Sequence, residues 1–347
     1  MTKGLDPDEA PTWISDILSY EHIKNVVAGP DEDDCGIIEF NGHVLVLTTD
    51  YLNANPIALE LGIGDYYDLG RLVVDSNLSD LCGTGARPMA LLLAVILNKS
   101  SGDKSLLRDL VRGAKAEADK YGVPIIGGDT KLGDSDALLC AALGSSPDRS
   151  NLFLKKCAEP GDIIWASGQM GSVCAALIGL TNGLGNEEWR EWAKKAVINP
   201  ELPMEKSKLI HNSSIGKGGI DISDGLGDDI KELCRTSGVG ATIYVDKVPI
   251  SEKSKTLSNH IDYPFWTFPF VMGGDMQFIV TTENDENAVR VSHKIGLYKI
   301  GKVIQDENVY LKQGEKKWEM PSTGHRDARG VSFSDEVVML IEELVSS

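Results

Sequence analysis

Five short stretches of this chain set an aspartate beside glycine or a hydroxyl residue. They are Asp-Asp-Cys-Gly (33–36), Thr-Thr-Asp (48–50), Asn-Leu-Ser-Asp-Leu (77–81), Gly-Gly-Asp-Thr (127–130) and Asp-Ile-Ser-Asp-Gly-Leu (221–226). Any one of them is explained by an acidic turn or a capped helix, which the helix dipole favours. Five together are not, because gathered carboxylates repel one another and need cations to coexist. Carboxylate and hydroxyl oxygens suit hard divalent ions, and Mg²⁺ commonly bridges one or two carboxylates to phosphate oxygens. The expected chemistry is therefore a nucleoside triphosphate gripped through several Mg²⁺ ions, whose charge also steadies phosphoryl transfer. Gly127 and Gly128 would let backbone approach the ligand closely.

The overall charge points the same way. With 34 basic and 52 acidic residues the chain carries −18, which argues against nucleic acid and anionic membrane as partners. Phosphates can approach such a chain only through metals or backbone dipoles. No apolar run reaches the ~18 residues needed to cross a bilayer. The first residues, Met-Thr-Lys-Gly-Leu-Asp-Pro, lack the apolar stretch of a secretory signal, so a cytoplasmic protein is expected. Six cysteines (35, 82, 140, 157, 174, 234) form no C-x-x-C pair and read as reduced packing residues. The P-loop, G-x-G-x-x-G, H-E-x-x-H and G-x-S-x-G motifs are all missing; Gly62-Ile-Gly64 and Gly83-Thr-Gly85 lack the third glycine.

Periodicity places the acids on elements. Residues 13–27 read as a helix. An Asn41-Gly42 turn joins strands 37–40 and 43–47, with Asp34 before the hairpin and Asp50 just past it. A helix spans 65–82, with Asn77 and Asp80 on one face. A buried strand at 89–97, a helix at 103–121, a short buried strand at 123–126 and a strand at 137–143 follow. Residues 145–160 read as a boundary between domains 1–150 and 151–347. Beyond it come a strand at 162–166, helices to about 180, at 187–197 and at 204–211, and a strand end at 219–222. A helix at 223–236, capped by Ser223 or Asp224, follows, then strands at 241–245, 276–281, 298–303 and 308–311. The aromatic group Phe265, Trp266, Phe268 and Phe270 reads as core or interface.

Taken in order, the motifs resemble the aminoimidazole ribonucleotide (AIR) synthetase superfamily, and within it the thiamine-monophosphate kinases most. The resemblance rests on the five stretches together with Gly85-Ala-Arg-Pro88, Tyr121-Gly-Val-Pro-Ile-Ile and Pro160-Gly161-Asp162, over roughly residues 25–305. It implies a two-domain α+β PurM-like fold whose N-terminal mixed sheet pairs across a homodimer. It implies ATP as co-substrate, with Asp34, Thr49, Asp50, Asp80, Asp129, Asp221 and Asp224 at metal positions. Tyr121, Gly128, Asp129, Lys155 and Ser223 would contact the nucleotide. The acceptor motifs depart from the kinase pattern. Tyr51-Leu-Asn-Ala-Asn-Pro-Ile57 lacks the histidine, Gly273-Gly-Asp-Met-Gln-Phe278 stands where the kinases have Gly-Gly-Glu-Asp-Tyr-Glu and so loses acidic and aromatic groups, and the C-terminal Gly-Tyr-Asp-His-Phe is gone. No cysteine follows Cys234 and none precedes Cys35, unlike hydrogenase-maturation members and selenophosphate synthetases respectively. The leading expectation is an Mg²⁺-dependent ATP phosphotransferase. AIR-type cyclisation and an inactive nucleotide-binding paralogue are the alternatives.

Overall fold

The computed structural model describes residues 18, 23–29, 31–52, 57–99, 103–184, 186–258, 260–321 and 333–346. Its centre is helix α1 (Tyr66–Thr84), packed against both of the molecule's sheets. Asp65 starts it with a reciprocal capping box to Asp68, and left-handed Gly85 ends it. Buried Val73, Val74, Leu78 and Leu81 give it an apolar face, worth about 1.5–3 kcal/mol for each side chain taken from water.

The first sheet has the order β1-β2-β3-β6-β4-β5. Its strands are β1 (Val26–Ala28), β2 (Gly36–Phe40), β3 (His43–Leu52), β4 (Arg87–Asn98), β5 (Ile125–Gly133) and β6 (Ala137–Ser146). Only β4 and β5 run parallel. One face carries Val44, Val46, Leu91 and Leu93 into a core with α1 and α2 (Lys104–Tyr121). The two helices cross very closely: a Cβ on Gly70 would lie 1.9 Å from the Leu110 carbonyl oxygen, and one on Gly113 1.8 Å from that of Tyr67. The opposite face is open and carries exposed Leu47, Tyr51 and Leu92.

The second sheet has the order β13-β12-β9-β11-β7-β10-β8. It comprises β7 (Ile163–Ala166), β8 (Gly219–Asp221), β9 (Gly240–Tyr244), β10 (Phe278–Thr282), β11 (Tyr298–Ile304), β12 (Val309–Gln313) and β13 (Lys316–Glu319). One face, with Ile164, Ile220, Ile243 and Ile279, packs on α3 (Ser172–Thr181) and α6 (Leu226–Ser237). The other, with Trp165, Phe278 and Val280, meets Cys82 of α1 and Ile210 of α5 (Met204–Ser213). Helices α4 (Glu187–Ile198), α7 (Glu286–Ile295) and α8 (Phe333–Ser346) complete the set of longer helices.

Several expectations are corrected. Val26 and Val27 are strand, not helix, because these β-branched residues pair with β2; most of the expected helix 13–27 lies outside the described residues. The strand expected at 123–126 runs instead through Gly133 and is an exposed edge, so Asp129 sits inside it. Strand β3 continues to Leu52, which puts Asp50 within a strand as well. Helix α6 begins at Leu226, not 223, because Gly225 holds φ 123° and no side chain caps the start. Asp224 therefore lies in the turn before the helix. Residues 252–257 and 268–271 are short helices within the expected 250–270 loop, and Phe268 and Phe270 are fully buried core.

Candidate active site

Four of the expected aspartates converge from four separate elements. Asp34 precedes β2, Asp50 lies on β3, Asp80 on α1 and Asp221 at the end of β8, and all four line one cavity of about 780 Å³. Thr48, Thr49 and Ser223 line it too. The alternation of β3 turns Thr48 and Asp50 towards α1, which presents Asn77 and Asp80 on the facing side. The Thr48 hydroxyl donates to Asp80, and Asn77 Oδ1 accepts from the Asp50 backbone N–H at 3.2 Å. From the position next to Asp80, the Ser79 hydroxyl donates to Asp221 at 2.7 Å. Glycine permits that seam: a Cβ on Gly83 would lie 2.5 Å from the Asp221 nitrogen.

The carboxylates raise one another's proton affinity. Burial, then the charge of Asp34, pushes Asp221 up to about 8. Burial, then Asp221 and Asp50, holds Asp80 well above the carboxylate range, and burial with Asp34 raises Asp50. Burial and Asp34 push Asp33 up to about 7, against the pull of Lys155. The cation in this setting is buried Lys155, whose Nζ lies 2.6 Å from Asp34 and 4.0 Å from Glu232. Burial opposes its charge, yet Asp34 keeps its proton affinity above the ordinary lysine value. Buried Asp229 accepts from the Gly225 N–H at 3.0 Å; burial, then Asp224, raises its proton affinity. Among the described residues no three His, Cys, Asp or Glu side chains close around one point as a complete metal cage.

The remaining expected residues lie elsewhere. Asp129 stands in register with Ala94, Leu139 and Tyr51, on the open face of the first sheet. Three strand spacings, about 14 Å, separate it from the β3 residues, and its carboxylate pairs with Lys131 at 3.4 Å. Gly128 holds φ 152° and packs so tightly on β4 that a Cβ would lie 1.7 Å from the Leu93 carbonyl oxygen. Tyr121 lines a different cavity, of about 1040 Å³, with Lys120, Arg87 and Met204. Thr48, Asn77, Ser79, Asp33 and Asp229 belong to the site and were not singled out as ligands. The first four sit within the aspartate motifs, which was the available signal.

Two family models match: AIR synthase related protein, N-terminal domain, over residues 32–145, and its C-terminal domain over residues 159–313. The chain belongs to this AIR synthase related family. Among curated relatives, thiamine-monophosphate kinase of Pyrococcus horikoshii is 28% identical over 312 residues, covering 87% of this chain and 92% of that one. Thiamine-monophosphate kinase of Salmonella typhimurium is 31% identical over 235 residues, 66% of this chain and 68% of the other. AaThiL complexed with AMPPCP and TMP superposes with a TM-score of 0.76 at 22% identity, covering 92% and 98% of the two chains. The HypE–HypF complex gives 0.69 at 22% identity, with 90% and 99% covered. The two AIR synthase related domains make the fold mixed α+β. No described helix is long and apolar enough to cross a membrane.

Proposed function

We propose that this chain transfers the γ-phosphoryl group of ATP to a small molecule in a site completed by Mg²⁺. The observation that carries this reading is the meeting of Asp34, Asp50, Asp80 and Asp221 at one cavity. Their oxygens fit an ion that keeps waters and phosphate oxygens in its shell better than one enclosed by protein. When bound, the metal would neutralise phosphate charge and polarise the transferring group. The protein's share is positioning. Thr48 and Ser79 orient Asp80 and Asp221, and Asn77 pins the strand at Asp50. Lys155, 2.6 Å from Asp34, would have to turn from that carboxylate into the cavity to meet a phosphate oxygen. Thiamine-monophosphate kinases among the relatives support an ATP-dependent kinase. We further propose a homodimer closed through the open face of the first sheet. Asp129, on that face, would then act across the interface or through a ligand that spans the sheet.

Calorimetry with ATP, with and without Mg²⁺, tests the reading. Tight binding is expected only with Mg²⁺, and Asp80→Asn should weaken it at least tenfold while the melting temperature holds. Sedimentation velocity on the same sample should give twice the chain mass. ATP binding that survives a chelator would overturn the metal-assisted mechanism.

A further inference from the structure

Away from its carboxylates the same cavity is apolar. Leu52, Leu72, Val173, Leu177, Val197 and Met276 form that end. Among the described residues lining the cavity there is no aromatic ring, histidine, lysine or arginine. A permanently cationic heteroaromatic body would be desolvated in this end with no π-face among the described lining residues to receive it, the cavity's carboxylates being those that face the metal and phosphates. An uncharged aliphatic body meets no such penalty.

The acid end constrains the reacting group. With its aspartates committed to orientation and metal, the lining offers no free base to strip a proton from an alcohol. A phosphate monoester needs none, because its second ionisation lies near pH ~6 and it is largely dianionic at neutral pH. Resting on the ATP-phosphotransferase reading above, we infer that the acceptor is the phosphate monoester of an uncharged aliphatic body. One of its oxygens forms the new bond to Pγ while the Pγ–O bond to the β-phosphate breaks, and that electron pair leaves on ADP. No proton changes hands.

The experiment is calorimetry on the full chain with AMPPCP and Mg²⁺ bound, titrating ethyl, butyl and hexyl phosphate, hexanol and thiamine monophosphate. Affinity should rise about fourfold per added methylene, the factor for burying one CH₂. Hexyl phosphate should bind at least tenfold tighter than thiamine monophosphate, and hexanol should not bind measurably. In Leu72→Glu, with its melting temperature checked, the new carboxylate should narrow the gap to thiamine monophosphate at least tenfold. A flat chain-length series, or thiamine monophosphate binding as tightly as hexyl phosphate, overturns the inference while leaving ATP chemistry standing. If AMPPCP with Mg²⁺ does not bind at all, the phosphotransferase reading itself fails.

Discussion

Replacing Asp75 with asparagine should stabilise the protein, and only at high pH. Asp75 lies on α1 at the crossing with α2 and is fully buried, and neither carboxylate oxygen has a hydrogen-bond partner. The neighbouring cations are taken: Arg71 and Lys120 each lie 2.6 Å from buried Glu117. Burial, then the charge of Glu117, pushes Asp75 up to about 8, from an ordinary value of 3.8. The unfolded chain ionises this group above about pH 4, whereas the folded chain keeps its proton to about 8. Between those values the folded state binds more protons, so stability falls as pH rises. At about 1.4 kcal/mol per tenfold in proton affinity, the ceiling is about 6 kcal/mol. Coupling to Glu117 and local relaxation reduce it to roughly 2–3 kcal/mol, given the usual two- to three-fold context dependence. Asparagine keeps the shape without the charge. Scanning calorimetry of metal-free protein should show Asp75→Asn melting about 4 °C above the parent at pH 9 and within about 1 °C at pH 5. An equal shift at both values, or a loss at pH 9, would mean that Arg71 and Lys120 hold an ionised Asp75, and the reasoning would be wrong.

Two further outcomes follow from the site. Lys155→Met strips the one buried cation from beside Asp34, and breaking such a pair costs about 3–5 kcal/mol in metal-free protein. Mg²⁺ should restore part of that loss in a thermal melt, so identical losses with and without the ion would contradict a shared anionic pocket. Gly83→Ala forces a methyl group against the Asp221 backbone, at a cost of about 1–3 kcal/mol. Nucleotide affinity measured by calorimetry should drop at least tenfold, and unchanged affinity would remove Asp221 from the binding geometry.

Much of this site could be read from residue order, because the motifs are local and their partners are close in the chain. Asp80 shares α1 with its periodic core, the Asn41-Gly42 turn sets Asp34 just before β2, and Asp221 ends the short strand β8, so three of the four converging carboxylates sat where expected, while Asp50 lies inside β3 instead of just past it. The parity of a register was not legible. Asp50 and Asp129 lie in strands of one sheet, and a single residue's offset decides that one faces α1 and the other the open side. Nor was the delayed start of α6, which depends on a backbone angle at Gly225 that only the surrounding packing selects. Tyr121 ends α2 as expected, but the direction of that helix across α1 carries its ring into the other cavity. In the C-terminal half, strands β9 to β12 lie within two residues of where alternation put them. Helix α7 was missed despite the Asp285 cap, since its short amphipathic run resembles a polar loop.

The placement of α1 between both sheets has a mechanical consequence. Asp80 and Ser79 ride on a rod that is simultaneously core for β3 and for β8. The spacing between Asp50 and Asp221 is thereby set by the thickness of a helix, and hinge motion of the two halves would have to break both cores at once. Substrate entry and product exit must be served by side chains and surface loops, and a protease cut between the halves should release neither as a folded fragment.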